Sequence, residues 1–354
     1  MLDIVGIGVL NVDFTATTEK LMELHYCKVE EAMKSFEYGA ERLVGKEDIE
    51  HMVSLLGRES LKASLGGSAF NTVCCLASLG SGLRAGFSGV SGETGRPDLS
   101  FEEAFDSLGV DRSHLGSCGG ESSGLCVSMN QPGTRSFIHY PGCNRRMAGF
   151  LRRNYGRILE YVAGARLLHI TQFSGSETSG MLERLAGDAK KADASILISC
   201  DPGYAWLKGR EPSVDGILRL SDFIFLNDME FTLLAWTGEG ASDREKADSI
   251  FSRLGLSGNL IIVKKETEIK LFRSGGKEES FAIDVMKNEE ISDATGAGDA
   301  FDAGFLASLL LGEAGDRRAA ALGMMLMRAR LASDPENLWE RYAEAFSRWR
   351  KLAY

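Results

Sequence analysis

The chain has 354 residues, enough for one large α/β domain or two smaller ones, and its length and pattern favour one domain with an appendage. Its 40 Lys and Arg stand against 50 Asp and Glu, a net charge of −10, which argues against general binding to nucleic acid or an anionic membrane. Seven cysteines, with no Cys-x-x-Cys and with Cys74 and Cys75 adjacent, fit neither a disulfide framework nor a zinc site and read as cytosolic thiols, so a cytoplasmic location is expected.

The first β-rich run, IVGIGV, carries Gly6-Ile-Gly8-Val-Leu-Asn11, close to the dinucleotide fingerprint, but Asn replaces the third glycine and no helix pattern starts there. An oxidoreductase is rejected on that ground. The strand ends instead in Asn11-Val-Asp13, a polar pair at a carboxyl end, where open α/β sheets bind ligands. Asp13 can bond two hydroxyls of a polyol or simply cap a turn. Residues 14–65 are charged and mostly helical in pattern, with Leu21, Leu24 and Met33 spaced as an amphipathic face, and read as a lid or insertion.

Gly66-Gly67-Ser68-Ala69-Phe70-Asn71 is a glycine pair opening a helix pattern. Asn71 can donate and accept at once, although an ordinary loop with Ser68 as N-cap explains the same residues. Further strands are expected at AGFSGV, LCVSM, SFIHY, LLHI, ILISC, FIFL and LIIV, with helices near 68–79, 177–191, 230–236, 243–254, 299–311 and 317–331. That alternation indicates right-handed βαβ units and a mostly parallel sheet. Arg145, Arg146, Arg152 and Arg153 make the densest positive patch and read as a solvated helix face, with an anion-steering rim, or a pocket for a substrate that already carries phosphate, as the alternative. His139 is near a plausible substrate loop and receives no catalytic role.

Asn227-Asp228-Met229-Glu230 follows FIFL and opens a helix, where an acid is favoured by the macrodipole and where a hydrated Mg²⁺ would also find a carboxylate. No G-x-x-x-x-G-K-[ST] occurs, which excludes a P-loop. The densest signal is Asp293-Ala-Thr-Gly-Ala-Gly-Asp-Ala-Phe301, two acids and two glycines ahead of a long apolar segment too short to span a bilayer. Asp299 there is either a helix cap or an acid beside an anion held at a helix start. The tail 335–354, rich in Trp, Arg and Glu, reads as a terminal helix, with Trp339, Phe346 and Trp349 as packing residues.

NVD, GGSAFN, NDME and DATGAGDAF, in that order and at these separations, resemble the ribokinase-like, or PfkB, kinases over about residues 3–332. The resemblance implies a three-layer αβα fold with a mostly parallel central sheet and a lid, the chain forming a single kinase domain over 1–354. It implies transfer of the γ-phosphoryl group of ATP, with Mg²⁺, to a primary hydroxyl of a sugar or nucleoside. Matched residue by residue, Asp299 falls on the catalytic base, and Gly296, Ala297 and Gly298 on the anion hole. Asp13, Asn11, Gly67 and Asn71 fall on acceptor positions, Asn227 and Glu230 on the pair that organises Mg²⁺ and phosphate, and Thr295 beside the nucleotide.

The chain departs from the family in two places. After LIIV the family has a Thr-x-Gly-x-x-Gly turn, whereas here Val263-Lys-Lys-Glu-Thr-Glu-Ile269 lacks both glycines. Lys264 can bring positive charge to the phosphates, while Glu266 and Glu268 add repulsion. The longer 14–65 segment resembles the adenosine-kinase branch, which implies Tyr26, Phe36 and Tyr38 in the segment and Phe173 in HITQFSG as aromatics near a nucleoside, with core packing as the alternative for each, and a homodimer is open through this lid. A kinase-like protein that binds a sugar or nucleoside without turnover is the alternative.

Overall fold

The computed structural model describes residues 1–16, 41–57, 61–131, 134–313, 315–334 and 337–352. A nine-stranded sheet runs in the order β14-β13-β12-β11-β10-β9-β1-β5-β6. Its strands are β1 (Leu2–Ile7), β5 (Ala85–Glu93), β6 (Asp111–Ser122), β9 (Ala165–Thr171), β10 (Leu197–Asp201), β11 (Phe223–Asn227), β12 (Leu260–Lys264), β13 (Glu268–Phe272) and β14 (Glu278–Ala282). Every pairing from β12 across to β6 is parallel, and only the β12–β13 and β13–β14 pairings are antiparallel.

Apolar runs such as LIIV in β12 are explained by cover on both faces. Ile262 faces one buried core with Ile4, Leu167 and Phe225, while Ile261 and Val263 face the other with Val5, Leu168 and Ile224. Helices Ser68–Ser78, Ala297–Leu310, Asp316–Leu331 and Leu338–Lys351 cover the first face, and helices Met147–Ala163, Ser176–Ala192, Pro212–Leu220 and Asp243–Leu254 the second. In the last helix of the chain Trp349 and Phe346 are buried in the first core, and Trp339 packs at its edge. The 297–310 helix is apolar on nearly all sides, as a helix enclosed between sheet and helix requires.

A second sheet has five strands in the order β3-β8-β7-β2-β4: β2 (Asn11–Ala16), β3 (Glu41–Leu43), β4 (Lys62–Gly66), β7 (Gly124–Gln131) and β8 (Thr134–Tyr140). It has its own small core of Val12, Phe14, Val127 and Ile138 against helix Lys46–Leu55. This corrects three sequence readings. Asn11-Val-Asp13 does not end the first strand; the chain leaves β1 at Ile7 and begins a new strand at Asn11. LCVSM and SFIHY belong to this sheet rather than the central one. The described part of 14–65 holds three strand segments around one helix, because the lid face is completed by the distant β7–β8 hairpin and need not be helical. Leu21, Leu24, Tyr26, Met33, Phe36 and Tyr38 lie outside the described residues.

Candidate active site

The strand order reverses at β1, whose neighbours are β5 on one side and β9 on the other, and such a switch point opens a crevice at the strands' carboxyl ends. A cleft of about 810 Å³ lies there, between the central sheet and the five-stranded lid. It is lined by every candidate site residue assigned from the four motifs: Asn11, Asp13, Gly67, Asn71, Asn227, Glu230, Thr295, Gly296, Ala297, Gly298 and Asp299, with Lys264 and Phe173.

Two glycines set the local backbone. Gly67, which precedes helix Ser68–Ser78, has φ of 119°, and a Cβ there would collide with the Val9 carbonyl oxygen. Gly296 has φ of 76° and starts the 297–310 helix, whose first turn lines the cleft, with Ala297 N donating to Ala294 O at 3.4 Å. Asp299 stands in that first turn. Its Oδ2 accepts a 2.8 Å hydrogen bond from Asn71 Nδ2, joining motifs 228 residues apart. Burial raises the Asp299 carboxyl to about 6, with Asp201 adding to the rise, while the Asn71 and Ser68 hydrogen bonds and Lys264 oppose it.

Asp13, buried in β2, is raised to about 8 by burial first and by the negative charges of Asp293 and Asp299, against the pull of Arg330. Asp293 behaves oppositely. Burial pushes it up, but Arg330 at 2.6 Å and the Thr295 N–H at 2.9 Å outweigh that and hold it below the usual carboxylate range. This buried ion pair ties the start of the DATGAGDAF turn to the Asp316–Leu331 helix. Asn11 Oδ1 accepts from Asn144 Nδ2 at 3.1 Å, and Asn144 also exchanges hydrogen bonds with the Leu10 backbone. That clamp fixes the crossing from central sheet to lid, and sequence reading missed Asn144.

Asn227 and Glu230 form a reciprocal capping box at the start of helix Asp228–Ala235, with Glu230 Oε2 accepting from Asn227 N at 2.8 Å and Asn227 Oδ1 accepting from Glu230 N at 2.9 Å. Both nevertheless line the cleft. Lys264 lies at the end of β12, and its Nζ is 2.9 Å from Asp302 Oδ1 and 3.0 Å from Asp201 Oδ2. Asp201 and Asp302 are the other residues the sequence reading missed. Where the family turn would bear its glycines, Lys265 N donates to Glu268 O at 3.0 Å, closing a tight β12–β13 hairpin.

Among the described residues no group of three or more His, Cys, Asp or Glu side chains is arranged to hold a metal ion. The donors on the cleft wall suit Mg²⁺, which keeps waters and takes one or two carboxylates together with substrate phosphates. The helix start at Gly296 suits a phosphate.

Residues 42–335 match the sequence profile of the pfkB family carbohydrate kinases. The chain belongs to that family. A cytidine kinase from Thermococcus kodakarensis is 29% identical over 152 residues, 42% of this pfkB-family chain and 50% of that protein, so the match spans half the length of that relative. Adenosine kinase from Anopheles gambiae, solved with P1,P4-di(adenosine-5) tetraphosphate, superposes with a TM-score of 0.76 at 18% identity, covering 96% of this chain and 98% of that one. A putative ribokinase II from E. coli, solved with ATP and Mg²⁺, gives 0.70 at 14% identity and covers 99% of each chain. At these identities the likeness shows the fold, which is ribokinase-like. Of the arginine patch, Arg146 pairs with Glu121 and Arg152 with Glu177, while Arg145 bonds the Gly142 carbonyl and the Tyr140 hydroxyl; no described helix is long and apolar enough to cross a membrane.

Proposed function

We propose that this pfkB-family kinase transfers the γ-phosphoryl group of ATP to a primary hydroxyl of a nucleoside or a sugar, with a nucleoside favoured. The observation that carries the reading is the 2.8 Å contact of Asn71 with Asp299, because it brings the acceptor-side helix and the acid behind GAG to one point of one cleft. A hydroxyl is a weak nucleophile, so a carboxylate must take its proton as the bond to phosphorus forms. Asp299, raised to about 6, is ionised at neutral pH and still basic enough to do so.

The N–H groups of Ala297 and Gly298, at the positive end of the helix, would receive the charge on the transferred oxygens. Asp13 and Asn11 would bond acceptor hydroxyls from the lid side. Mg²⁺, oriented by Glu230 and Asn227 through water, would neutralise the β- and γ-phosphates. Closure of the lid sheet would exclude water and so limit ATP hydrolysis.

The nucleoside is favoured by the aromatic lining of the acceptor end, Phe137, His139 and Tyr140 on β8, whereas Phe173 after β9 borders the cleft but is buried in the second core. Such faces stack on a planar base at low conformational cost. Incubation with ATP, Mg²⁺ and a panel of nucleosides, pentoses and hexoses tests this. Nucleoside-dependent ADP release with formation of a nucleoside monophosphate is expected; turnover of a hexose alone would remove the nucleoside preference.

A further inference from the structure

An ammonium beside the positive end of a helix is unfavourable by itself. Lys264 is in that position: a Cβ built on Gly298, in the first turn of the 297–310 helix, would lie 3.3 Å from its Nζ. The lysine does not reach solvent to escape. Its side chain is only 10% exposed and rests over the Phe225 ring, 5.6 Å from the centroid.

Two carboxylates from different elements hold it. Asp302, fully buried one turn after Asp299, bonds Nζ with both oxygens at 2.9 and 3.1 Å, and Asp201 at the end of β10 bonds it at 3.0 Å. Opposite charge on Lys264 keeps Asp201 low despite its burial, whereas burial drives Asp302 well above the carboxylate range. The other titratable groups facing the triad are Asp299 on the same helix, Glu230 from the neighbouring helix and His169 on β9, which burial lowers to about 4. Lys265 does not share the role, since Asp228 and Asp243 hold it outside the triad.

We propose that Lys264, held by Asp201 and Asp302, is a positioning residue that fixes a positive charge behind the Gly296–Gly298 turn and selects for the terminal phosphoryl group of a nucleoside triphosphate. The inference rests on the kinase reading. It supplies a source of phosphate charge in a chain that lacks the glycine turn after β12. A buried ion triad could also serve stability alone, and the two roles separate cleanly. Charge behind the turn acts on the γ-phosphoryl group more than on the α and β groups, so its loss changes the preference for a triphosphate over a diphosphate. A stabilising role changes both affinities together.

The test compares binding of AMP-PNP and ADP, each with Mg²⁺, by calorimetry on the whole protein, alongside Tm. Lys264→Met leaves the Asp201 carboxylate without its counter-ion and is expected to lower Tm and to weaken AMP-PNP roughly 10-fold or more beyond ADP, from Coulomb interaction at intermediate dielectric. The double variant Lys264→Met with Asp201→Asn removes one charge of each sign. It should regain most of the lost Tm yet keep the weakened AMP-PNP-to-ADP preference, and it decides the matter should the single variant fail to fold. Recovery of the wild-type preference in the double variant overturns the proposal. Failure of the wild-type protein to bind either nucleotide would overturn the kinase reading and this inference together, whereas wild-type phosphoryl transfer with an unaltered preference in the variants overturns the inference alone.

Discussion

Asp299→Asn separates a catalytic base from a helix-start acid. With its carboxyl at about 6, Asp299 is about nine-tenths ionised at pH 7, so almost every molecule carries the competent base. Asparagine keeps the shape and can still accept from Asn71 Nδ2 through its amide oxygen, which preserves the 2.8 Å link. It cannot take a proton. Turnover at saturating ATP, Mg²⁺ and acceptor should fall roughly 10²–10⁴-fold, the range for loss of a general base, while ATP affinity moves little.

Stability should move the other way. The folded pKa lies above the ordinary carboxylate value, so the ionised side chain disfavours the folded state once pH exceeds that ordinary value. Removing the charge should leave Tm at pH 7.5 equal to or above wild type, and the difference should shrink as pH falls towards 4. The wild-type kcat/KM profile should lose activity below about pH 6. A variant that turns over within about twofold of wild type refutes the assignment and leaves Asp299 as a helix-start acid.

Three further changes probe the rest of the cleft. Glu230→Gln can retain the capping bond to Asn227 N, so Tm should hold while the Mg²⁺ concentration for half-maximal rate rises; an unchanged Mg²⁺ titration confines Glu230 to its capping role. Asp13→Ala should raise the acceptor KM far more than the ATP KM, because a site built for hydroxyls penalises their loss, and equal changes would put Asp13 outside the acceptor pocket. Arg330→Met strands the buried Asp293 carboxylate and should cost about 3–5 kcal/mol, read by denaturant unfolding; since the pair depresses the Asp293 pKa, the cost should be full near neutrality and fade as pH falls through that lowered value. A loss below about 1 kcal/mol would show that water reaches the pair.

The helix start at Gly296 was legible because its signal is local: a glycine turn, an acid and an apolar run occupy consecutive positions. The same holds for GGSAFN and NDME. Asp201, Asp302 and Asn144 were not legible, because each acts through a partner 38 to 134 residues away and none sits in a distinctive local pattern. β6 was missed for another reason. Its sequence DRSHLGSCGGES has the composition of a turn, and only pairing with β5 at the sheet edge makes it a strand. Alternation alone also cannot assign a strand to a sheet, so LCVSM and SFIHY read correctly as strands but not as lid. The β13–β14 edge, with its charged EIKLF and EESFA, had too weak an apolar signal to stand out beside LIIV.

Phosphorus NMR of the wild-type protein with ATP, Mg²⁺ and the acceptor panel tests the central claim most directly, since ATP, ADP and a new phosphate monoester each give separate signals. A nucleoside or sugar should produce the monoester and ADP in equal amounts, only with Mg²⁺ present and only with Asp299 intact. ATP that stays unconsumed with every acceptor, although the acceptors bind, would contradict the account and leave a kinase fold that holds its ligand without phosphorylating it.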